Sequence, residues 1–255
     1  MYRRSLLTVL ACLLPLAAQA QPAPPAMPVT GVQSEPLSDP SGIAVLELFT
    51  SRSCVFCPQA DRLFAELARQ PNVIALACHA DYFHSADALA RNVCIGRQSW
   101  YMNLLRGGAS YTPQMVFNGA DDAIGYKMER VVALLKQARA QGVQRIAISP
   151  LSGESYRLDL PPLPQQGLQD YDLAVATVRK PARAAVTTGA YRGEDITYVR
   201  AADVLQVLPL RQYKSQSFTL TVPLRGDNDG FVVFLQRPDT GRIAAAGQFA
   251  LAARP

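Results

Sequence analysis

Cys54 and Cys57, three positions apart in Cys54-Val55-Phe56-Cys57, stand where an apolar run, Ile43 to Thr50, gives way to a helical pattern, Gln59 to Arg69. A thiol at such a strand-to-helix turn lies near unpaired backbone N–H groups and the positive end of the helix dipole, which favours the thiolate. A low-pKa cysteine attacks disulfides, and a second cysteine three residues on can resolve the mixed disulfide that forms. The spacing therefore predicts thiol–disulfide chemistry, with Cys54 as nucleophile and Cys57 as resolving thiol. Glu47 is the one ionisable residue in the preceding apolar run. Buried beneath the cysteines it would have a raised pKa and could carry the proton of Cys57. The alternative is a strand-edge carboxylate reaching solvent or a basic neighbour such as Arg52.

The compartment follows from the first twenty residues. Arg3 and Arg4 precede an apolar stretch from Leu6 to Ala18, and Ala18-Gln19-Ala20 supplies small residues for cleavage before Gln21. This is the pattern of a signal peptide over 1–20, and it predicts a periplasmic or secreted protein. The stretch is too short to span a bilayer, and no later run approaches the ~20 apolar residues of a transmembrane helix, so no stable membrane insertion is expected after cleavage. Reading Val9-Leu10-Ala11-Cys12 as a lipoprotein site would strand Leu13 to Leu16 on the mature chain, which argues against lipidation.

Cys12 leaves with the signal, and four cysteines remain: Cys54, Cys57, Cys78 and Cys94. An even number in an oxidising compartment implies two disulfides, for which three connectivities exist. The local pair Cys54/Cys57 leaves Cys78/Cys94 as a structural disulfide, worth about 3 kcal/mol on the chain-entropy model.

The formal charge of +5 falls to +3 once Arg3 and Arg4 are removed, and the basic residues are scattered. That pattern lacks the basic stripes with interleaved aromatics of a nucleic-acid footprint, so no nucleic-acid partner is expected.

Residues 21–41 contain Pro22, Pro24, Pro25, Pro28 and Pro36 and read as an extended leader. Over 42–142 the patterns alternate. The run 43–50 is followed by Ala60, Leu63, Phe64, Leu67 and Ala68 at helical spacing, then by the continuous apolar run Val73 to Cys78. A second helical stretch covers Ala86 to Leu105. Gln114 to Phe117 and Ala123 to Gly125 flank an Asn118-Gly119 hairpin signal, and Met128 to Ala140 is amphipathic. The predicted order is βαβαββα. Over 143–255 the texture changes to short β-type runs, including Tyr171 to Val178, Phe218 to Val222 and Phe231 to Leu235, with a helix at most over Ala201 to Val207. Turn residues between them predict antiparallel hairpins and a sandwich.

Several segments together resemble a known family. Glu47-Leu48-Phe49-Thr50-Ser51, Cys54-xx-Cys57-Pro58-xx-Asp61, Cys78-His79-Ala80-Asp81-Tyr82, Arg97-Gln98 and Tyr111-Thr112-Pro113-Gln114-Met115-Val116-xx-Asn118-Gly119 are similar to those of secreted thioredoxin-like proteins carrying a domain of unknown function. The likeness extends from residue 43 to about 250. It implies an α/β thioredoxin-like domain followed by a mainly antiparallel, sandwich-like β domain. It also implies that Tyr111, Thr112 and Pro113 face the cysteine pair, the Thr112–Pro113 bond cis, so that the backbone there can pair with an extended substrate. Val55-Phe56 and Phe83 depart from the family pattern, which has small polar residues between the cysteines and a Trp after the Asp-Tyr pair.

The function this predicts is thiol–disulfide exchange with thiol- or disulfide-bearing proteins, without a cofactor. The alternatives are a non-catalytic binding module with an inert disulfide, or a copper- or zinc-handling protein using His79, His84 and the thiolates. The bland reading of each histidine is packing or hydrogen bonding at a strand end, so no metal ligand is assigned. Trp100 and Tyr101 read as packing residues of the second helix.

Overall fold

The computed structural model describes residues 42–80, 82, 87–105, 108, 110–163, 167–186, 189–211 and 215–251. The expected signal segment, the leader and His84 lie outside the described residues.

β1 (Ala44–Thr50) is buried at all seven positions, as a strand covered on both faces must be. α1 (Cys57–Leu67) follows, with Pro58 in its first turn, where a missing N–H is harmless. It leads to β2 (Val73–His79), which runs parallel to β1 in a register from Ala44↔Val73 to Thr50↔His79. α2 (Asn92–Leu105) comes next, then β3 (Gln114–Phe117), antiparallel to β1 on its other edge, and β4 (Asp121–Ile124). Asn118 and Gly119 between β3 and β4 both have positive φ, 47° and 65°, as a tight hairpin demands. A Cβ on Gly119 would sit 1.9 Å from the Gly241 carbonyl oxygen, so the position admits glycine alone. The four-stranded sheet has the order β2-β1-β3-β4. α1 and α3 (Met128–Ala140) cover one face, where Phe64, Leu67, Val131, Leu134 and Leu135 pack on Leu46, Leu48, Met115 and Phe117.

The remaining strands are β5 (Gln144–Arg145), β6 (Ala147–Pro150), β7 (Ser155–Asp159), β8 (Asp172–Arg179), β9 (Ala182–Ala185), β10 (Asp195–Tyr198), β11 (Ala202–Pro209), β12 (Ser217–Thr221), β13 (Asn228–Gln236) and β14 (Ile243–Ala250). They form a five-stranded sheet, β11-β8-β13-β14-β5, a three-stranded sheet, β12-β7-β6, and the hairpin β9–β10.

The fold class differs from the α/β thioredoxin-like domain followed by a sandwich-like β domain that the sequence predicts. Among the described residues fourteen strands stand against three α-helices, and the sheets are both mixed and antiparallel. The physical reason lies in β8 and β13. Their central residues are apolar on both faces, so each face needs a cover. One face, through Leu173, Val175, Phe231, Val233 and Leu235, packs on Tyr156 and Leu158 of β7. The other, through Ala174, Ala176, Val178, Val232 and Phe234, closes directly on Val45, Phe49, Ile74, Leu76 and Val116. A β-sheet thus fills much of the layer that helices occupy on the second face of an α/β sheet, and the early and late halves of the chain share one core. The helix allowed over Ala201 to Val207 is instead the strand β11, held by pairing to β8 from Ala202↔Val178 to Pro209↔Asp172. Tertiary pairing there overrides a local pattern that β-branched Val204 and Val207 already weaken.

Candidate functional site

Cys54 and Cys57 form a disulfide with Cα atoms 5.3 Å apart. A chain reversal carries them from β1 to α1, with the Cys54 N–H donating to Ser51 O and the Cys57 N–H to Cys54 O. Cys57 is the first residue of α1, and its N-cap, Phe56, offers no side-chain acceptor, so the first turn of the helix carries no side-chain cap. Cys57 is fully buried, whereas Cys54 keeps 8% of its surface at the edge of an apolar rim made by Val55 and Phe56, 47% and 56% exposed. Phe56 stacks on Tyr126 with centroids 5.3 Å apart. On the other side the β9–β10 hairpin closes in: Gly189 abuts Val55, Arg52 donates to Ala185 O at 3.1 Å, and Arg62 pairs with Glu194 and lies over the Tyr191 ring.

The segment before β3 meets this disulfide. Thr112–Pro113 is cis, and Thr112 O lies 3.5 Å from Cys54 Sγ. Gln98 of α2 holds the segment, its Nε2 donating to Tyr111 O at 2.6 Å and to Gln114 Oε1 at 2.9 Å. The Tyr111 hydroxyl and Gln114 Nε2 both donate to Asp122 Oδ2. The structure therefore brings Cys54, Cys57, Thr112 and Pro113 together, with Tyr111 as an anchor of the same segment.

Glu47 is placed elsewhere. Side chains alternate along β1, so Leu46, Leu48 and Thr50 face α1 while Val45, Glu47 and Phe49 face α2 and the five-stranded sheet. There Glu47 accepts from Arg97 Nε, from Arg97 Nη2 at 2.8 Å and from the Tyr101 hydroxyl. Burial opposes the Arg97 charge, but the adjoining Glu47 carboxylate wins and holds the guanidinium above the usual arginine value. Gln236 of β13 completes the cluster by donating to Tyr101 Oη at 2.7 Å. Glu47 thus anchors α2 and β13 to β1 and does not stand beneath Cys57. Next to this ion pair a cavity of about 330 Å³ opens between α2 and the five-stranded sheet, lined by Val93, Trp100, Leu205 and Val207, on the sheet face turned away from α1.

The buried acid that does share an element with Cys57 is Asp61, one helical turn along α1. Burial pushes its carboxyl up to about 7, against the pull of His79 and of the adjacent Thr50 hydroxyl. His79 Nδ1 lies 3.0 Å from Asp87 Oδ2, and Asp87 Oδ1 accepts from the Leu89 N–H at 2.9 Å. Burial resists ionisation of Asp87, yet the His79 bond and charge keep it below the ordinary carboxylate range. The His79 ring meets Tyr198 edge-on at 5.2 Å. Tyr198 is itself raised to about 12 by burial and then by the charge of Asp61. The sequence signal for this group was the same two-residue alternation: Thr50 lies three positions from Glu47 and so on the opposite face.

Cys78 and Cys94 form the second disulfide, fully buried, joining β2 to α2 with Cα atoms 5.2 Å apart. With four cysteines paired and His79 turned to Asp87, no group of three or more metal-ligating side chains assembles among the described residues.

The site defines a class: a β-rich protein with one buried disulfide and one at a strand-to-helix junction, beside a buried acid. The chain belongs to the family described as a protein of unknown function, DUF1223, whose pattern matches residues 45–236. No curated protein matches it. Among solved structures it is similar to an X-ray structure of a protein from Agrobacterium tumefaciens, at 23% identity and a TM-score of 0.66, over 84% of this chain and 96% of that one. It is also similar to HBP35 of Porphyromonas gingivalis, at 15% identity and a TM-score of 0.59, over 84% and 77%. At these identities the two likenesses describe the fold alone.

Proposed function

We propose that this protein is an exported thiol–disulfide oxidoreductase acting through Cys54 and Cys57, in the periplasm or outside the cell, on thiol- or disulfide-bearing proteins. The observation that carries the reading is the asymmetry between the two disulfides. Cys78–Cys94 is sealed in the core, whereas Cys54, though largely buried, retains some accessible surface, stands before the uncapped start of α1 and is followed by the exposed apolar side chains of Val55 and Phe56. In the reducing direction for the protein, a partner thiolate attacks Cys54 Sγ, the S–S bond breaks and its electron pair leaves on Cys57. A second partner thiolate then attacks the partner's own sulfur in the mixed disulfide and releases Cys54 as thiolate. The reverse sequence oxidises the protein, with Cys57 attacking the mixed disulfide. Thr112, beside Cys54 Sγ, offers its carbonyl to an extended partner chain.

The competing reading, an inert disulfide on a binding module, draws on the small exposure of Cys54 and the close approach of Gly189 to Val55. Equilibration in glutathione buffers, followed by alkylation and mass analysis, separates the two. A Cys54–Cys57 potential less negative than about −300 mV, with exchange abolished in Cys54→Ala, is the expected result. A potential below that value is the mark of a structural bridge and would overturn the proposal.

A further inference from the structure

Asp61, His79 and Asp87 have no part in the electron transfers just described, yet all three are buried at the sulfurs' end of α1. Cys57 and Asp61 are four residues apart on one helix, so their side chains share a face with Cβ atoms about 5–6 Å apart. Thr50 and His79 are registered partners at the ends of β1 and β2, on the sheet face that α1 covers. The groups facing Asp61 are Thr50 from β1, His79 from β2, Asp87 from the segment after β2, Tyr198 from β10 and Arg62 from α1 itself. His79 Nδ1 is committed to Asp87, which leaves Nε2 buried and without a hydrogen-bond partner among the described residues. A buried polar atom is rarely left so, and its place beside a buried acid points to a site where a proton is held.

Resting on the exchange reading above, we propose that Asp61 is the proton donor and acceptor for Cys57, and that His79, oriented by Asp87, is the positioning residue that tunes it. When the S–S bond breaks, the Asp61 carboxyl gives its proton to the departing Cys57 sulfur, leaving a thiol and a carboxylate. When Cys57 attacks a mixed disulfide, the Asp61 carboxylate takes that proton back. Asp61 titrates near neutrality, which makes both directions accessible there.

The experiment is the rate of Cys54–Cys57 reduction by dithiothreitol from pH 5 to 9, divided by the reagent's thiolate fraction. For the wild type the normalised rate is expected to fall as pH rises through about 7, where Asp61 loses its proton. Asp61→Asn should flatten this profile and slow reduction by about tenfold or more at pH 6. Asp61→Glu should restore an inflection, and His79→Gln should move it to higher pH by removing the group that lowers the Asp61 pKa. A wild type that is not reduced at all refutes the exchange reading. A wild type that is reduced, with an Asn variant showing the same rate and inflection, refutes the proton role and leaves exchange standing. Should Asp61→Asn fail to fold, the Asp61 carboxyl can be titrated by carbon NMR in oxidised and reduced wild-type protein. Different midpoints in the two states are expected, and identical ones overturn the proposal.

Discussion

Replacing Asp61 by Asn should make the protein more stable at alkaline pH, by an amount the burial of the carboxyl sets. The unfolded chain releases the Asp61 proton near 3.8, whereas the folded protein keeps it to about 7. Folding is therefore most favoured, as far as this group is concerned, below pH 3.8, and that contribution is lost as pH rises through 7. At 1.36 kcal/mol per pH unit the loss is about 4 kcal/mol by pH 8, of which about 1.7 kcal/mol has gone by pH 5. Asn has nothing to ionise, so the variant escapes this loss. Urea unfolding of the oxidised wild type and Asp61→Asn, from pH 4 to 8, gives two curves whose separation should widen by about 4 kcal/mol in favour of Asn. The difference between the curves matters more than either alone, because Asp87 and the surface carboxylates act on both proteins alike. Curves that run parallel would show that Asp61 ionises in the fold as easily as in the unfolded chain.

Removing the second disulfide with Cys78→Ala and Cys94→Ala together should cost about 3 kcal/mol of unfolding free energy, read from urea midpoints at constant m. Glu47→Gln leaves the Arg97 guanidinium buried without its counter-charge, and a loss of about 3–5 kcal/mol is expected in the same assay. Gly119→Ala places a Cβ against the Gly241 carbonyl at a positive φ, so a lowered melting temperature by calorimetry is expected; an unchanged one would contradict the hairpin geometry.

Much of the site was legible because it is local. Cys54 and Cys57 lie between an apolar run and a helical pattern that together announce a junction, and Asn118-Gly119 announces a hairpin. β1 and β2 follow continuous apolar runs and α1 and α3 an apolar periodicity, whereas α2 buries Arg97 and Gln98 beside Cys94 and Tyr101 with no such stripe. What failed depended on which face each residue presents. Glu47 attracted attention as a lone carboxylate in an apolar run, but alternation turns it toward Arg97, fifty residues on, and gives the α1 face to Thr50. Asp61 is the fourth residue after Cys57, yet its character comes from burial, opposed by His79 of β2 and by the Thr50 hydroxyl of β1. The fold class was misread for a related reason. Runs such as Phe231 to Leu235 say that both faces of a strand are dry without naming what lies across from them, and the answer was the β1–β2–β3 surface.

Cys94 lies one helical turn before Gln98, and Cys78 immediately precedes His79. The buried crosslink therefore works as a strut between two parts of the machinery: at one end the strand residue next to His79, at the other the glutamine that props the Tyr111–Gln114 segment against Cys54. A chain lacking that strut would have to maintain the spacing through the bonds of Arg97 and Tyr101 to Glu47 and the buried seat of Tyr101 and Met102. The inner crosslink thus ties both supports of the outer pair to one buried point.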